Sequence, residues 1–263
     1  MRIAVVMTTY QTPEVLDRVL AGYALQARQP DEVVVADDGS DERTRVVVQR
    51  WAAAGRFVVR HVWQENAGYR RSRILNMGIA ASTADYLILT DGDCLPHRDF
   101  VADHERLAEQ GFWVQGKRAQ IKEAYSAQVQ PGDVHGLTLW RRGWLWRSVY
   151  GLRWPLPLVW RQRLGPHRAR ALGSNMAMWR ADLVDVNGFN EAFVGWGSED
   201  WEVTVRLHNS GRRKKLVIGR ALQFHLDHPP ASRQHLKDNG QILAEARSRK
   251  LVRCEQGLAG HLR

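Results

Sequence analysis

The chain has 263 residues, 44% of them hydrophobic and 25% charged, and a formal net charge of +10 at pH 7. That is ample apolar material for the core of one enzyme-sized chain and too ordinary a charged fraction for disorder, and no apolar run approaches the ~18 residues of a membrane span. The opening apolar run is too short for a signal peptide and reads straight into a strand, so the expectation is a soluble, cytoplasmic chain. Cys94 and Cys254 are far apart and form no metal-type or redox-type pair.

In chain order, the apolar run at 3–7 predicts a strand. Thr12-Pro13-Glu14 then predicts a helix start, with an N-cap donor and proline in the first turn, running to about residue 27. A second strand is expected at 32–36, a helix at 41–54 stopped by Gly55, a third strand at 57–62, a helix at 70–81 and a fourth strand at 86–90. This alternation predicts an α/β fold with a doubly wound, mainly parallel sheet flanked by helices. Farther on, strands are expected at 173–179 and 222–225, a helical turn at 181–186, a helix at 198–209 and a basic surface helix within 232–253. With no repeat or linker in view, the reading is a single domain with an insertion: 1–116, 117–171 inserted, 172–228, and a basic tail at 229–263.

The positive charge invites a nucleic-acid reading, but its distribution argues against one. Residues 1–133 carry net −2, 134–181 carry +9 with no acid at all, 182–211 carry −5, and 212–263 carry +8. The acid-free block also holds six of the eleven tryptophans.

Ligands of such sheets bind beyond the carboxyl ends of the strands. Three polar clusters fall there: Thr8-Thr9-Tyr10, Asp37-Asp38-Gly39-Ser40 and Asp91-Gly92-Asp93. Neither a Gly-x-Gly-x-x-Gly nor a Gly-Lys-Ser/Thr loop is present, so phosphate would have to be neutralised another way, such as by a divalent metal. Asp91-Gly92-Asp93 after an apolar strand offers hard oxygen ligands for Mn²⁺ or Mg²⁺. Asp37-Asp38 equally suits an Asx-type turn capping the next helix, and Glu199-Asp200 suits the positive end of a helix dipole.

Val33-Val34-Val35-Ala36-Asp37-Asp38-Gly39-Ser40, Glu65-Asn66-Ala67-Gly68-Tyr69-Arg70-Arg71 and Leu87-Ile88-Leu89-Thr90-Asp91-Gly92-Asp93 together resemble the nucleotide-sugar half of glycosyltransferase family 2, which has the GT-A fold. Gly173-Ser174-Asn175-Met176-Ala177-Met178-Trp179, Asn187-Gly188-Phe189-Asn190 and Gly195-Trp196-Gly197-Ser198-Glu199-Asp200 resemble the carboxyl-terminal half of β-1,4-galactosyltransferase-like enzymes. The resemblance leaves out the Arg/Trp segment and the tail. It implies that Thr8, Thr9 and Tyr10 line a nucleoside pocket, with Asp37 or Asp38 accepting from base or ribose. It also implies donor contacts from Asn66, Arg71, Asp91 and Gly92. Ile74-Leu75-Asn76 stands where many members have Ala-Arg-Asn, so Arg71 or Arg73 would replace that family's phosphate-contacting arginine.

The resemblance implies Asp93 as principal metal ligand, Asp91 on ribose or on the metal through water, and His225 as third ligand, with His228 competing. Asp200 would be the general base of an inverting transfer, with Glu199 orienting the acceptor. Trp196 and Gly197 would bind the acceptor, Trp196 offering a flat face to a sugar ring. Ser198 replaces a glycine common in the galactosyltransferase motif. The implied partners are a nucleotide-sugar donor, expected to be a UDP-sugar, and a glycan or lipid-linked acceptor of bacterial polysaccharide or lipopolysaccharide type.

Residues 137–163 interleave Trp with Arg, a composition that suits an anionic membrane surface, a lid or acceptor loop, or stacking on nucleic acid. Membrane or glycolipid contact is favoured, which would hold the chain on the inner face of the cell membrane. Two rivals remain: a nucleotidyltransferase on the same sheet, for which Thr9-Tyr10-Gln11-Thr12 lacks the basic Gly-rich loop, and a noncatalytic lipid- or nucleic-acid-binding protein.

Overall fold

The computed structural model describes residues 1–146, 148–154, 158–162, 171–228 and 232–262. The rest of the Arg/Trp segment, and the ends of the tail, lie outside the described residues.

The first ninety residues alternate as expected: β1 (Ile3–Thr9), α1 (Pro13–Ala24), β2 (Glu32–Asp37), α2 (Glu42–Ala54), β3 (Val58–Trp63), α3 (Arg71–Ala81) and β4 (Tyr86–Asp91). The four strands pair in parallel in the order β3-β2-β1-β4. Alternate residues of the valine-rich strands feed two separate cores. Ile3, Val5, Met7, Val33 and Val35 pack with Leu16, Val19 and Leu20 of α1 and Val48 of α2, whereas Ala4, Val6, Val34 and Ala36 pack with Ile74, Leu75 and Ile79 of α3. Helices therefore cover both faces. Asp41 caps α2 through the Arg43 amide at 3.1 Å, and Gly55, at φ +65°, ends it in the left-handed region. Thr12 makes no capping bond, and α1 stops three residues earlier than expected.

The later chain is richer in strands than its pattern suggested. It continues with β5 (Cys94–Pro96), α4 (Phe100–Leu107), β6 (Phe112–Gln115), β7 (Arg118–Ile121), α5 (Glu123–Ser126), α6 (Thr138–Arg141), β8 (Leu145–Trp146), β9 (Leu158–Gln162), β10 (Asn175–Trp179) and α7 (Arg180–Asp185). Last come α8 (Glu199–Asn209), β11 (Arg213–Ile218), β12 (Gln223–His225) and α9 (Leu236–Ser248). The large sheet extends as β3-β2-β1-β4-β10-β6-β11-β9, with β10 antiparallel to β4 and to β6. A second sheet has the order β5-β12-β7-β8. Residues of the Arg/Trp segment thus enter both sheets, β8 in the small one and β9 at the edge of the large one. The basic α9 docks on α8, burying Leu243 and Ala246 beside Val205, with the Arg247 guanidinium 3.9 Å over the Trp201 ring. Among the described residues no helix is long and apolar enough to cross a membrane.

Candidate active site

Parallel register aligns the ends of three strands: Thr8 lies opposite Asp91 and Thr9 opposite Asp37. The chain leaves β4 tightly against β1, since the Gly92 amide donates to the Thr8 carbonyl at 2.7 Å and a Cβ on Gly92 would meet that oxygen at 2.9 Å. Gly92 thus serves the turn by letting two strands approach. The Thr8 hydroxyl donates to Asp91 Oδ1 at 3.3 Å.

At the end of β2, both carboxylates are engaged by the protein. Asp37 accepts from the Ser40 amide at 2.8 Å and contacts His61 Nε2 at 2.9 Å. Asp38 accepts from the Gln64 side chain and from the Arg70 amide at 3.0 Å; burial raises its pKa, against those donors. Gly39, at φ +93°, lies so close to Asn66 that a Cβ would sit 2.6 Å from its Cα. This contact brings Asn66 to Tyr10, whose hydroxyl accepts from Asn66 Nδ2 at 3.1 Å while half of Tyr10 stays exposed. Thr9 is buried. Arg73 turns to Gln64 Oε1 at 2.7 Å and to the Met77 sulfur, apart from the acidic cluster that holds Arg71.

Arg71, at the start of α3, is the centre of that cluster. Its guanidinium donates to Asp91 Oδ1 at 2.9 Å and Asp200 Oδ1 at 2.8 Å, and lies 3.7 Å from Glu199 Oε1. Burial works against its charge, but Asp200 and Asp91 outweigh that and raise its pKa well above the ordinary value. The other oxygen of Asp200 accepts from the Gly173 amide at 3.0 Å. A Cβ on Gly173 would fall 2.3 Å from the carboxylate, so only glycine allows this approach. Glu199, beside it, accepts from the Gly197 amide at 2.9 Å. Burial, and then the Asp200 charge, push its carboxyl up to about 7 despite Arg71.

Asp93 faces the other way, toward β12. Its Oδ2 lies 2.9 Å from His228 Nε2 and 3.6 Å from His225 Nε2. Burial would raise the Asp93 pKa, but the two imidazoles hold it well below the usual carboxylate range. The ligand atoms of Asp93, His225 and His228 all lie within 4.8 Å of one another, as do those of Asp91, Asp93 and Cys94. His225 Nδ1 is buried without a hydrogen-bond partner. Carboxylate oxygens joined to imidazole nitrogens are a donor set that a divalent metal ion can use.

Ahead of α8, Gly195 and Gly197 both take positive φ, and a Cβ on either would strike α9 or the residue before it, His235. Ser198 sits at φ +74°, a left-handed position that serine adopts only at a strain cost. Trp196 remains 41% exposed, with Arg233 6.0 Å from its ring, so it is available as a surface plate and is not a core plug.

Three positions escaped the sequence reading. Arg118 on β7 lies 3.7 Å from Asp91 Oδ2, beside the acidic strand end. Tyr69 is half-buried beside Arg71, Glu199, Asp91 and Asp200, its phenol pKa raised by desolvation. Gly173 fixes Asp200. Tyr69 and Gly173 both stood inside the motif blocks without a role of their own, whereas Arg118 had no local signal.

A model of glycosyl transferase family 2 matches residues 4–147, and one described as the N-terminal domain of galactosyltransferase matches residues 164–228. A validoxylamine A glucosyltransferase of Streptomyces hygroscopicus subsp. limoneus is 30% identical over 230 residues, covering 80% of this chain and 48% of that protein. A hyaluronan synthase of Pasteurella multocida is 26% identical over 258 residues, covering 91% of this chain and 26% of that protein. The chain therefore spans about half the length of the first relative and about a quarter of the second. Among solved structures, S. aureus TarS 1–349 in complex with UDP-GlcNAc superposes with a TM-score of 0.66 at 14% identity, over 99% of this chain and 69% of that one. The Pyrobaculum calidifontis mannosyltransferase PcManGT, in complex with GDP-Man and Mn²⁺, gives 0.58 at 19% identity, over 94% of this chain and 61% of that one. The GT-A fold that the resemblance implied is the fold observed, and with more than half its length matched by the family model this chain belongs to glycosyl transferase family 2.

Proposed function

We propose that the chain moves a sugar from a UDP-sugar to a hydroxyl of a glycan or lipid-linked acceptor, with inversion at the anomeric carbon. The observation that carries this is the placement of Asp200. Both its oxygens are fixed, one by Arg71 and one by the Gly173 amide, and Arg71 ties it to Asp91 at the donor-side strand end. A carboxylate so held is suited to take the proton from an attacking acceptor hydroxyl. Glu199, buried and bonded to the Gly197 amide, orients the loop that carries Trp196, on which an acceptor ring would stack.

Asp93 with His225 and His228 would hold a Mn²⁺ or Mg²⁺ ion, and Asp91 would lie on its donor side. Bound there, the ion would supply Lewis-acid stabilisation of the departing diphosphate. The Tyr10–Asn66 contact, half open to solvent, suits the rim of a nucleoside pocket. Asp37 and Asp38, with protein donors already on them, would shape that pocket and still have acceptor capacity for the base or ribose. Arg71 would stand beside the donor sugar, and Arg73 would act from outside the cluster by holding Gln64 against Asp38. Exposed Leu137 and Trp140, next to exposed Arg141 and Arg142, would rest the protein on an anionic membrane from its cytoplasmic side.

The test is turnover of UDP-sugars in Mn²⁺ by wild type and Asp200→Asn. The donor is chosen first as the nucleotide sugar that raises the melting temperature, since a ligand of the folded state alone stabilises it. Transfer should fall by about 10²- to 10⁴-fold while donor binding survives. Unchanged turnover would remove Asp200 from the mechanism.

A further inference from the structure

The small sheet has two unlike faces. Leu95 of β5, Phe224 of β12, Ala119 and Ile121 of β7 and Leu145 of β8 all enter the main core. Strand alternation sends their neighbours to the opposite face. There the register forms one row across all four strands: Cys94 pairs with His225, His225 with Gln120, and Gln120 with Trp146. Trp146, from the Arg/Trp segment, therefore shares a sheet face with the proposed metal ligand His225. Two strand spacings separate them, roughly 10 Å, about the reach of a disaccharide.

Trp146 is 59% exposed although its strand neighbour Leu145 is buried. Its indole is not filling the core, and the Lys122 ammonium stands 5.4 Å from the ring centroid. Between the indole and the histidine, Gln120 is fixed by donating to Asp227 Oδ1 at 2.8 Å. Arg118 lies on the same face, two residues before Gln120. The acids near this row have partners of their own: Asp227 is bonded to Gln120, and Asp93 and Asp91 face His225 and Arg118 at the far end of the row, while Lys122 is the charge against the Trp146 ring. A flat aromatic face beside a cation and an amide is the chemistry of a sugar platform with a preference for negative charge. A bilayer would have to cover the face that carries the metal ligands, which disfavours a lipid as the occupant of Trp146.

We propose that Trp146, Gln120 and Lys122 form a subsite for an acidic saccharide unit of the acceptor chain, at a distance from the bond being formed. The proposal rests on the transferase reading for its purpose, but its test does not need turnover. The protein is labelled with 5-fluorotryptophan, the Trp146 resonance is assigned with Trp146→Phe, and fluorine NMR follows titrations. The probes are tetragalacturonate, an unsulfated uronate-hexosamine tetrasaccharide, neutral cellotetraose, and phosphatidylglycerol vesicles. The acidic tetrasaccharides should shift the Trp146 resonance and bind at least about tenfold more tightly than cellotetraose. Lys122→Gln should erase that preference and Trp146→Ala should weaken binding by about tenfold or more, with acceptor-independent hydrolysis of the nucleotide sugar kept within about twofold. The subsite is overturned if no saccharide moves the resonance, if Trp146→Ala binds as wild type does, or if only the vesicles move it. A wild-type chain that transfers sugar from no nucleotide sugar to any acceptor would count against the transferase reading alone, because the titration stands without it.

Discussion

Two acidic strand ends flank β1 in the large sheet, and the protein treats them oppositely. At the end of β2, Asp37 and Asp38 spend their oxygens on the Ser40 and Arg70 backbone amides, the Gln64 side chain and His61 of β3. Three of these four donors are neutral amides, so the pair behaves as the cap of a turn. At the end of β4, Asp91 and Asp93 face charged or chargeable side chains: Arg71, Arg118, His225 and His228. Such partners can be exchanged for a metal ion or a substrate without unmaking a turn. On the proposed function, like residues in like positions would divide into a pair that builds the pocket and a pair that works in it.

The sharpest way to break this comparison is to remove one carboxylate from each end. Asp93→Ala should abolish metal-enhanced nucleotide binding and lower turnover by more than the ~10- to 100-fold typical of losing a group behind a metal ligand. Its melting temperature should fall as well, because His228 is 48% exposed but His225 is buried and loses its carboxylate partner. Asp37→Ala should separate the two effects. It strands a buried amide and an imidazole, costing about 1–3 kcal/mol, hence several degrees of melting temperature, and it should spare metal-enhanced binding. If both variants lose metal response equally, the two strand ends form one site.

Asp200 belongs with the working pair through Arg71, and the next largest effect tests how closely it must be held. Gly173→Ala places a methyl group where the Asp200 carboxylate now sits. The carboxylate must then move by an ångström or so, a displacement that costs about 10²-fold in rate, whereas donor affinity should be nearly unchanged. Rates within a few fold of wild type would mean that the Gly173 contact does not position the base.

The sequence made the β2 and β4 ends legible for the same physical reason. Each follows a buried, β-branched run whose parallel partners must end level, so any polar residue there joins one cleft. The residues alone did not tell the pairs apart; only the resemblance put the metal on Asp93 and Asp91, and the packing that distinguishes the pairs depends on Arg118, His61 and Gln64, whose neighbours are set by chain crossings. The small sheet was hidden as well. Strands such as Leu145–Trp146 and Cys94–Pro96 are too short for alternation to register, and the row joining His225 to Trp146 exists only once β7 lies between them.

Glu199 gives the smallest expected effect, and the one that separates burial from charge pairing. Its carboxyl is pushed up to about 7, first by burial and then by Asp200, from an ordinary value of 4.5. Below pH 4.5 the group is protonated in both states and its contribution to stability is whole. As pH rises toward 7 the unfolded chain releases the proton while the folded chain retains it, so that contribution is lost, and above 7 the loss is complete. Melting temperatures of wild type and Glu199→Gln should therefore diverge between pH 4.5 and 7, wild type falling relative to the variant by a few degrees, and then run parallel. Parallel curves throughout would mean that Arg71 already holds Glu199 ionised. Arg71 would then be shared equally between Glu199 and Asp200, and no longer reserved for tying Asp200 to the strand end at Asp91.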